Sequence, residues 1–291
     1  MKRWQKALLF APCLTRCSAG AQPGGVTVAG GLAAHTDFGT LPPMIVAEHL
    51  VKVYRDRKRG EVRAVDGVSF TVHAGEIFGL LGANGAGKTT TLRMLGTLLQ
   101  PTDGTAYVAG FDVRLEPEKV RANIGFLSTT TALYGRLTVR EMVEYFGRLH
   151  GLDEATLRTR IDDIFTTLDM HGFAKARCDT LSTGQKQRTS IARSIIHEPP
   201  VMIFDEPTTG LDVMTSRTIV KFIRRCRDEG RTVVFSTHIM SEAERLCDRI
   251  GVIHAGRLVA VGTLDELRRQ TGATFLEEVF LRLVAPDETD A

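Results

Sequence analysis

A chain of 291 residues, 43% hydrophobic and 24% charged, has ordinary globular composition and is long enough for one large or two small domains. A net charge of +3 is too small to argue for nucleic acid or an acidic substrate. The longest apolar runs, such as Ile77–Leu81 and Val201–Phe204, are strand-sized, so any membrane role has to come through a partner.

From Met1 to Thr40 the chain is rich in Gly, Ala and Thr and carries a single acid, Asp37, with no sustained period, which predicts disorder. The opening MKRWQKALLFAPCL has the basic start and short apolar run of a targeting segment. A secretory signal is disfavoured, because Pro12 interrupts the run and Arg16 precedes Cys17. A mitochondrial-type transit peptide is a weak alternative. The reading taken here is that residues 1–43 are a disordered or dispensable extension and that Met44 is the functional beginning. The five cysteines, Cys13, Cys17, Cys178, Cys226 and Cys247, are scattered and odd in number, as expected of incidental thiols in a reduced cytosolic protein.

The charged stretch Arg55–Glu61 reads as a solvated loop. Glu76–Pro101 then reads as an apolar strand, a glycine-rich turn and an amphipathic helix ended by Pro101. Inside it, Gly82, Ala83, Asn84, Gly85, Ala86, Gly87, Lys88 and Thr89 fit G-x-x-x-x-G-K-[ST] at every position. Such glycines let successive backbone N–H groups turn toward phosphate oxygens. Lys88 supplies a point charge to the β- and γ-phosphates, the Thr89 hydroxyl is placed to hold Mg²⁺, and Thr90 suits an α-phosphate oxygen.

Between Ile124 and Leu181 apolar residues recur at three- and four-residue intervals, which predicts helices. The polar stretch LSTGQKQR (Leu181–Arg188) follows, and Ser182, Gly184 and Gln185 make it a second anion-binding helix mouth. Downstream, Val201–Phe204 reads as a buried strand with Asp205 at its carboxyl end, where open parallel sheets place their ligand crevice. Asp205 could hold Mg²⁺ through a water, and Glu206 is the candidate general base. A third apolar strand, Thr232–Phe235, ends in Ser236, Thr237 and His238, and the histidine could reach a γ-phosphate. Beyond it, RIGVIHAGRLVAVG predicts two short strands about Ala255-Gly256. Two helices close the chain, the first capped by Thr263 with Glu266 three residues on.

These residues resemble the nucleotide-binding domain of ATP-binding cassette (ABC) transporters over roughly Ile45 to Val284. GANGAGKTT resembles the Walker A loop, LSTGQ the family signature, VMIFDEP the Walker B strand, TTGLD the D-loop with Asp212, and STH the switch histidine, His238. The resemblance implies an α/β fold: a P-loop NTPase core with a mostly parallel sheet, an antiparallel β edge subdomain and a helical ABC-specific subdomain at about residues 125–184. The domain would span 44–285, followed by a tail of 286–291. The cofactors implied are ATP and Mg²⁺. Two such domains would pack head to tail, so that Ser182, Gly184 and Gln185 serve the γ-phosphate of the partner's ATP. Tyr54 sits where the family stacks an aromatic ring on adenine. Thr129 falls where the family usually has a glutamine, which puts the usual coupling through that residue in doubt.

The stretches GFLSTTTALYGRLTVREM and FSTHIMSEAERLCDRIGVIHAGRLVAVGT further resemble the sodium-extruding, NatA-type ABC exporters. That implies Na⁺ efflux powered from the cytoplasmic face of the cell membrane, by a peripheral dimer, presumed homomeric, on a multi-spanning permease. Drug, lipid or polysaccharide export is the rival. A soluble, non-transport ABC protein fits less well: the chain has one cassette rather than two, and no long coiled coil between the Walker motifs. A nucleotide-dependent scaffold would lack the base that Glu206 provides.

Overall fold

The computed structural model describes residues 41–56, 60–128 and 132–285. Residues 1–40, with Cys13 and Cys17, the position Thr129 and the tail from 286 lie outside these described residues, whereas the last three residues of the expected extension are described, Pro42 O accepting from Ala74 N–H at 3.0 Å.

Strands β1 (Pro43–Asp56) and β2 (Gly60–His73) form an antiparallel hairpin. Residues 57–59 of the charged stretch expected to be a loop lie outside the described residues; on either side the chain is strand, with Asp56 paired to Gly60 and Arg55 meeting Glu61 at 3.2 Å. Cross-strand pairing of opposite charges favours this extension. Strand β3 (Ile77–Leu81) leads into helix α1 (Lys88–Leu95). That helix stops six residues before Pro101, because Gly96 caps it and Thr97 turns left-handed at φ 59°. Gly96 also lies against Phe126, where a Cβ would stand 2.5 Å from the ring. Strands β4 (Asp103–Val108) and β5 (Phe111–Asp112) join the hairpin in the order β2-β1-β4-β5, which is the expected antiparallel subdomain.

After helix α2 (Pro117–Ala122) the chain makes a strand, β6 (Ile124–Leu127), where the sequence pattern had suggested the start of the helical region. Its four residues pair in parallel with Val201–Phe204, so tertiary pairing decides the conformation of a run too short to show its period. The helices begin at α3 (Val139–Leu149), with a Thr138–Glu141 capping box, and continue with α4 (Glu154–Thr167) and α5 (Thr183–Ile195). Strand β7 (Val201–Asp205), helix α6 (Val213–Asp228), strand β8 (Thr232–Thr237), helix α7 (Met240–Leu246) and the β9 (Arg249–His254)–β10 (Arg257–Gly262) hairpin follow. Helices α8 (Leu264–Thr271), with its expected Thr263–Glu266 capping box, and α9 (Leu276–Val284) complete the described chain.

The central sheet has the order β10-β9-β3-β8-β7-β6, parallel throughout except for β10. Strands β3, β7 and β8 are buried on both faces, and alternate residues go to different cores. Met202, Phe204, Val233 and Phe235 pack with α3 to α6, while Val201, Ile203 and Val234 pack with α1 and the antiparallel sheet. Each such side chain contributes roughly 1.5–3 kcal/mol by leaving water. This places the carboxyl ends of β3, β7 and β8 side by side. Among the described residues, no helix is long and apolar enough to cross a membrane.

Candidate functional site

At those carboxyl ends a cavity of about 210 Å³ is lined by Ala64, Asn84, Gly85, Gly87, Lys88, Thr89, Thr90 and Glu206. The glycine-rich loop is braced from behind. Gly82 N–H reaches Thr237 O at 3.4 Å, and Gly256 N–H donates to Ala86 O at 2.9 Å. Gly87 adopts φ 108°, and a Cβ there would stand 2.6 Å from Ala64 O, so both conformation and space call for glycine. Gly82 is equally confined, with Ile253 O 2.4 Å from its would-be Cβ. Ala83 and Ala86 hold the turn between them through an Ala86 N–H to Ala83 O bond of 3.2 Å.

Lys88, 4% exposed, points its ammonium back across the loop mouth, donating to Gly82 O at 2.7 Å and Ala83 O at 3.1 Å. It also stands 3.4 Å from Glu206 Oε1. His238 Nδ1 lies 3.3 Å from the same oxygen, without the alignment of a good hydrogen bond. Burial alone would raise the Glu206 carboxyl, but the His238 imidazole and the Lys88 ammonium outweigh it and hold the group below its ordinary range. Glu206 is therefore a carboxylate at neutral pH, able to accept a proton. Its backbone sits in the left-handed region at φ 47°, an unfavourable conformation for a residue with a side chain.

Asp205 is fully buried. Its Oδ1 accepts from Thr89 Oγ1 at 2.9 Å and Ser236 Oγ at 2.8 Å, whereas Oδ2 is buried without a hydrogen-bond partner. A spare carboxylate oxygen beside a hydroxyl is a hard-oxygen pair that suits Mg²⁺. Among the described residues no cluster of three or more His, Cys, Asp or Glu could hold a metal unaided, so phosphate oxygens and water would complete the shell.

The other predicted residues lie elsewhere. Ser182 is the N-cap of α5 in a capping box, its Oγ accepting from Gln185 N–H at 3.3 Å while Gln185 Oε1 accepts from Ser182 N–H at 3.0 Å. Gly184 is packed against Thr215. Asp212 caps α6, accepting from Thr215 N–H at 2.9 Å and Thr215 Oγ1 at 2.7 Å. None of these four lines the cavity. Tyr54 does not line it either; 40% exposed, it has the Lys52 ammonium 5.6 Å from its ring centre. Tyr54 pairs with Val62 across the hairpin, two residues before Ala64 of the cavity wall, where the register shifts. Sequence reasoning missed Ala64, Gly256 and Ser236. Gly256 carried a signal only as a hairpin turn and Ser236 only as a strand end, and Ala64 carried none.

A glycine-rich loop between a parallel strand and a helix, with Asp205 at the end of the next strand but one, defines a P-loop nucleoside triphosphatase. A model of the ABC transporter family matches residues 65–209. The chain is 40% identical over 239 residues to "ABC transporter ATP-binding protein NatA" of Bacillus subtilis, covering 82% of this chain and 97% of that one. It is 42% identical over 230 residues to "Daunorubicin/doxorubicin resistance ATP-binding protein DrrA" of Streptomyces peucetius, covering 78% and 67% respectively. Among solved structures it resembles "Structure of ATP binding subunit of ABC transporter", with TM-score 0.75, 30% identity and coverage of 82% of this chain and 99% of that one. It also resembles "Dimeric structure of a post-hydrolysis state of the ATP-binding cassette MJ0796 bound to ADP and Pi", with TM-score 0.70, 27% identity and coverage of 76% and 99%. The chain belongs to the ABC transporter family as an ATP-binding subunit, and it is an ATPase.

Proposed function

We propose that the chain powers an exporter from the cytoplasmic face of the cell membrane, as a head-to-tail homodimer on a separate multi-spanning permease. One observation carries the reading: Lys88, Thr89 and Glu206 line one cavity, with Asp205 bonded to Thr89 and His238 beside Glu206, while the Ser182–Gln185 helix mouth of the same chain does not line it. Two copies facing each other would bring the signature of one to the phosphate loop of the other. The dimeric cassette structures that this fold resembles support the arrangement. So do Val213 and Met214, 81% and 70% exposed beside Asp212, which give the D-loop an apolar surface.

In each site Lys88 and the loop N–H groups bind the β- and γ-phosphates, Thr90 meets the α-phosphate and Tyr54 stacks on adenine. Glu206 takes a proton from water as its oxygen attacks the γ-phosphorus, and the bridging oxygen leaves with ADP. His238 orients the γ-phosphate from the other side. Thr89 and Asp205 would hold Mg²⁺, which when bound would neutralise charge on the phosphate oxygens. The permease would dock on the helical subdomain, where Tyr134, Tyr145 and Leu149 are exposed and the two tyrosine rings meet edge to face at 6.0 Å.

Na⁺ is the proposed cargo, on the resemblance of the Gly125–Met142 and Phe235–Thr263 stretches to sodium-extruding exporters. Drug export is the second reading, favoured by the similarity to a daunorubicin/doxorubicin resistance protein. The test is to trap the tagged Glu206→Gln chain with ATP and Mg²⁺ in membranes of its host and identify what co-purifies. A stoichiometric multi-spanning protein is expected, and its reconstitution with this chain should drive ²²Na⁺ rather than daunorubicin out of vesicles. A soluble partner, or none, overturns the exporter.

A further inference from the structure

Strand β8 lies between the phosphate-loop strand β3 and the acidic strand β7, with Ser236 in register beside Leu80 on one side and Asp205 on the other. Its side chain is fully buried. The single hydroxyl makes two bonds of opposite sense: Oγ donates to Asp205 Oδ1 at 2.8 Å and accepts from Glu206 N–H at 3.0 Å. We propose that Ser236 is a positioning residue for hydrolysis, fixing the carboxylate of Asp205 and the backbone of Glu206 through one atom. The proposal rests on the reading above, in which Asp205 serves the metal and Glu206 the water.

The first of these bonds acts on the carboxylate. With Ser236 and Thr89 both donating to Oδ1, the rotation of the Asp205 carboxylate is set and Oδ2 is left as its spare oxygen. The second acts on the next residue. Glu206 occupies a left-handed conformation that its side chain disfavours, so the peptide needs an anchor to persist there. Ser236 supplies it on the amide. A valine or alanine at this position would complete the strand and its core equally well, yet could make neither bond.

The experiment compares Ser236→Ala, Ser236→Cys and Ser236→Thr with the parent chain. It measures phosphate release, thermal melting and the Mg²⁺ dependence of binding of a fluorescent ATP analogue in the hydrolysis-deficient Glu206→Gln background. Ser236→Ala should lower kcat by about 10- to 100-fold with the KM for ATP nearly unchanged. It should raise the half-saturating Mg²⁺ concentration roughly 10-fold, while binding in EDTA is unaffected. Ser236→Cys, similar in size but a weaker donor, should show the same direction and covers the case in which alanine fails to fold. Ser236→Thr keeps the hydroxyl on a side chain suited to a strand and should restore both readouts.

Parent-like kcat and Mg²⁺ dependence in the folded alanine or cysteine chain overturn the proposal. Equal loss of affinity with Mg²⁺ and in EDTA overturns it as well, because that is general damage to the fold. The two levels separate cleanly. A fully active Glu206→Gln chain sinks the reading of the site, whereas an inactive Glu206→Gln beside a fully active Ser236→Ala sinks only the role of Ser236.

Discussion

The Lys88 ammonium stands 3.4 Å from Glu206 Oε1, so the cation of the phosphate loop and the acid after β7 hold each other at the mouth of one cavity. Replacing the acid by its amide keeps the shape and removes the proton acceptor. Glu206→Gln should lower steady-state hydrolysis by about 10²- to 10⁴-fold and leave ATP binding intact. Phosphate release alongside fluorescent-nucleotide titration separates the two. Hydrolysis at the parent rate would show that another group activates the water.

Gly184 and Thr215 are similarly bound together. A Cβ on Gly184 would stand 2.9 Å from Thr215 Oγ1, whose hydroxyl is committed to Asp212 Oδ2. Gly184→Ala should therefore disturb the start of α6 and destabilise the chain by about 1–3 kcal/mol. Adding Thr215→Ala should recover part of that loss, a coupling that urea unfolding of the two single variants and the double variant would measure. Strict additivity would mean that the contact carries no strain.

His197 stacks on His150 with ring centres 3.7 Å apart, and its Nε2 approaches Ile124 O at 3.1 Å. Burial, then the neighbouring His150, lowers its pKa to about 4. The unfolded chain takes up a proton near the ordinary histidine value of 6.5 while the fold resists it, so stability falls as pH drops from 6.5 toward 4. The loss should be on the order of 2 kcal/mol between pH 7 and pH 4.5. His197→Phe should flatten that slope in melting curves taken across the range. An unchanged slope would assign the acid sensitivity to other groups.

On the helical subdomain, Leu149 is 63% exposed at the end of α3. Leu149→Asp should leave the ATPase rate of the free chain within about twofold and the melting temperature nearly unchanged, since exposed sites tolerate charge. Recovery of the permease on the tagged chain should fall at least tenfold, which quantitative mass spectrometry would register. Undiminished recovery would move the docking surface elsewhere.

The chemistry of the site was far more legible in the sequence than its architecture. The glycine-rich loop and Asp205-Glu206 each sit within a few consecutive residues, so strand, turn and ligand could be read together. Ala64 was invisible, because it reaches the cavity only through the folding of an antiparallel hairpin against Gly87. Ser236 was seen only as a strand end; its bonds run across to β7, thirty residues and one helix away in sequence. Strand β6 was read as part of a helical stretch, since four residues show no period until β7 pairs with them. Asp212, placed in the D-loop by resemblance alone, caps α6 in the folded chain, a local contact that the resemblance does not show.

Strand β3 lies at the centre of the sheet, flanked by β8 and β9, both of which follow it by more than a hundred residues of chain. A ribosome adding about 5–20 residues per second makes β3 and its loop many seconds before the strands that support them. Until Thr237 and then Gly256 have been made, the loop lacks the two backbone groups that hold its curve. A chain made only as far as β8 thus carries the full phosphate-loop sequence without its complete cradle, and the loop's support is finished only once the turn between β9 and β10 has been made.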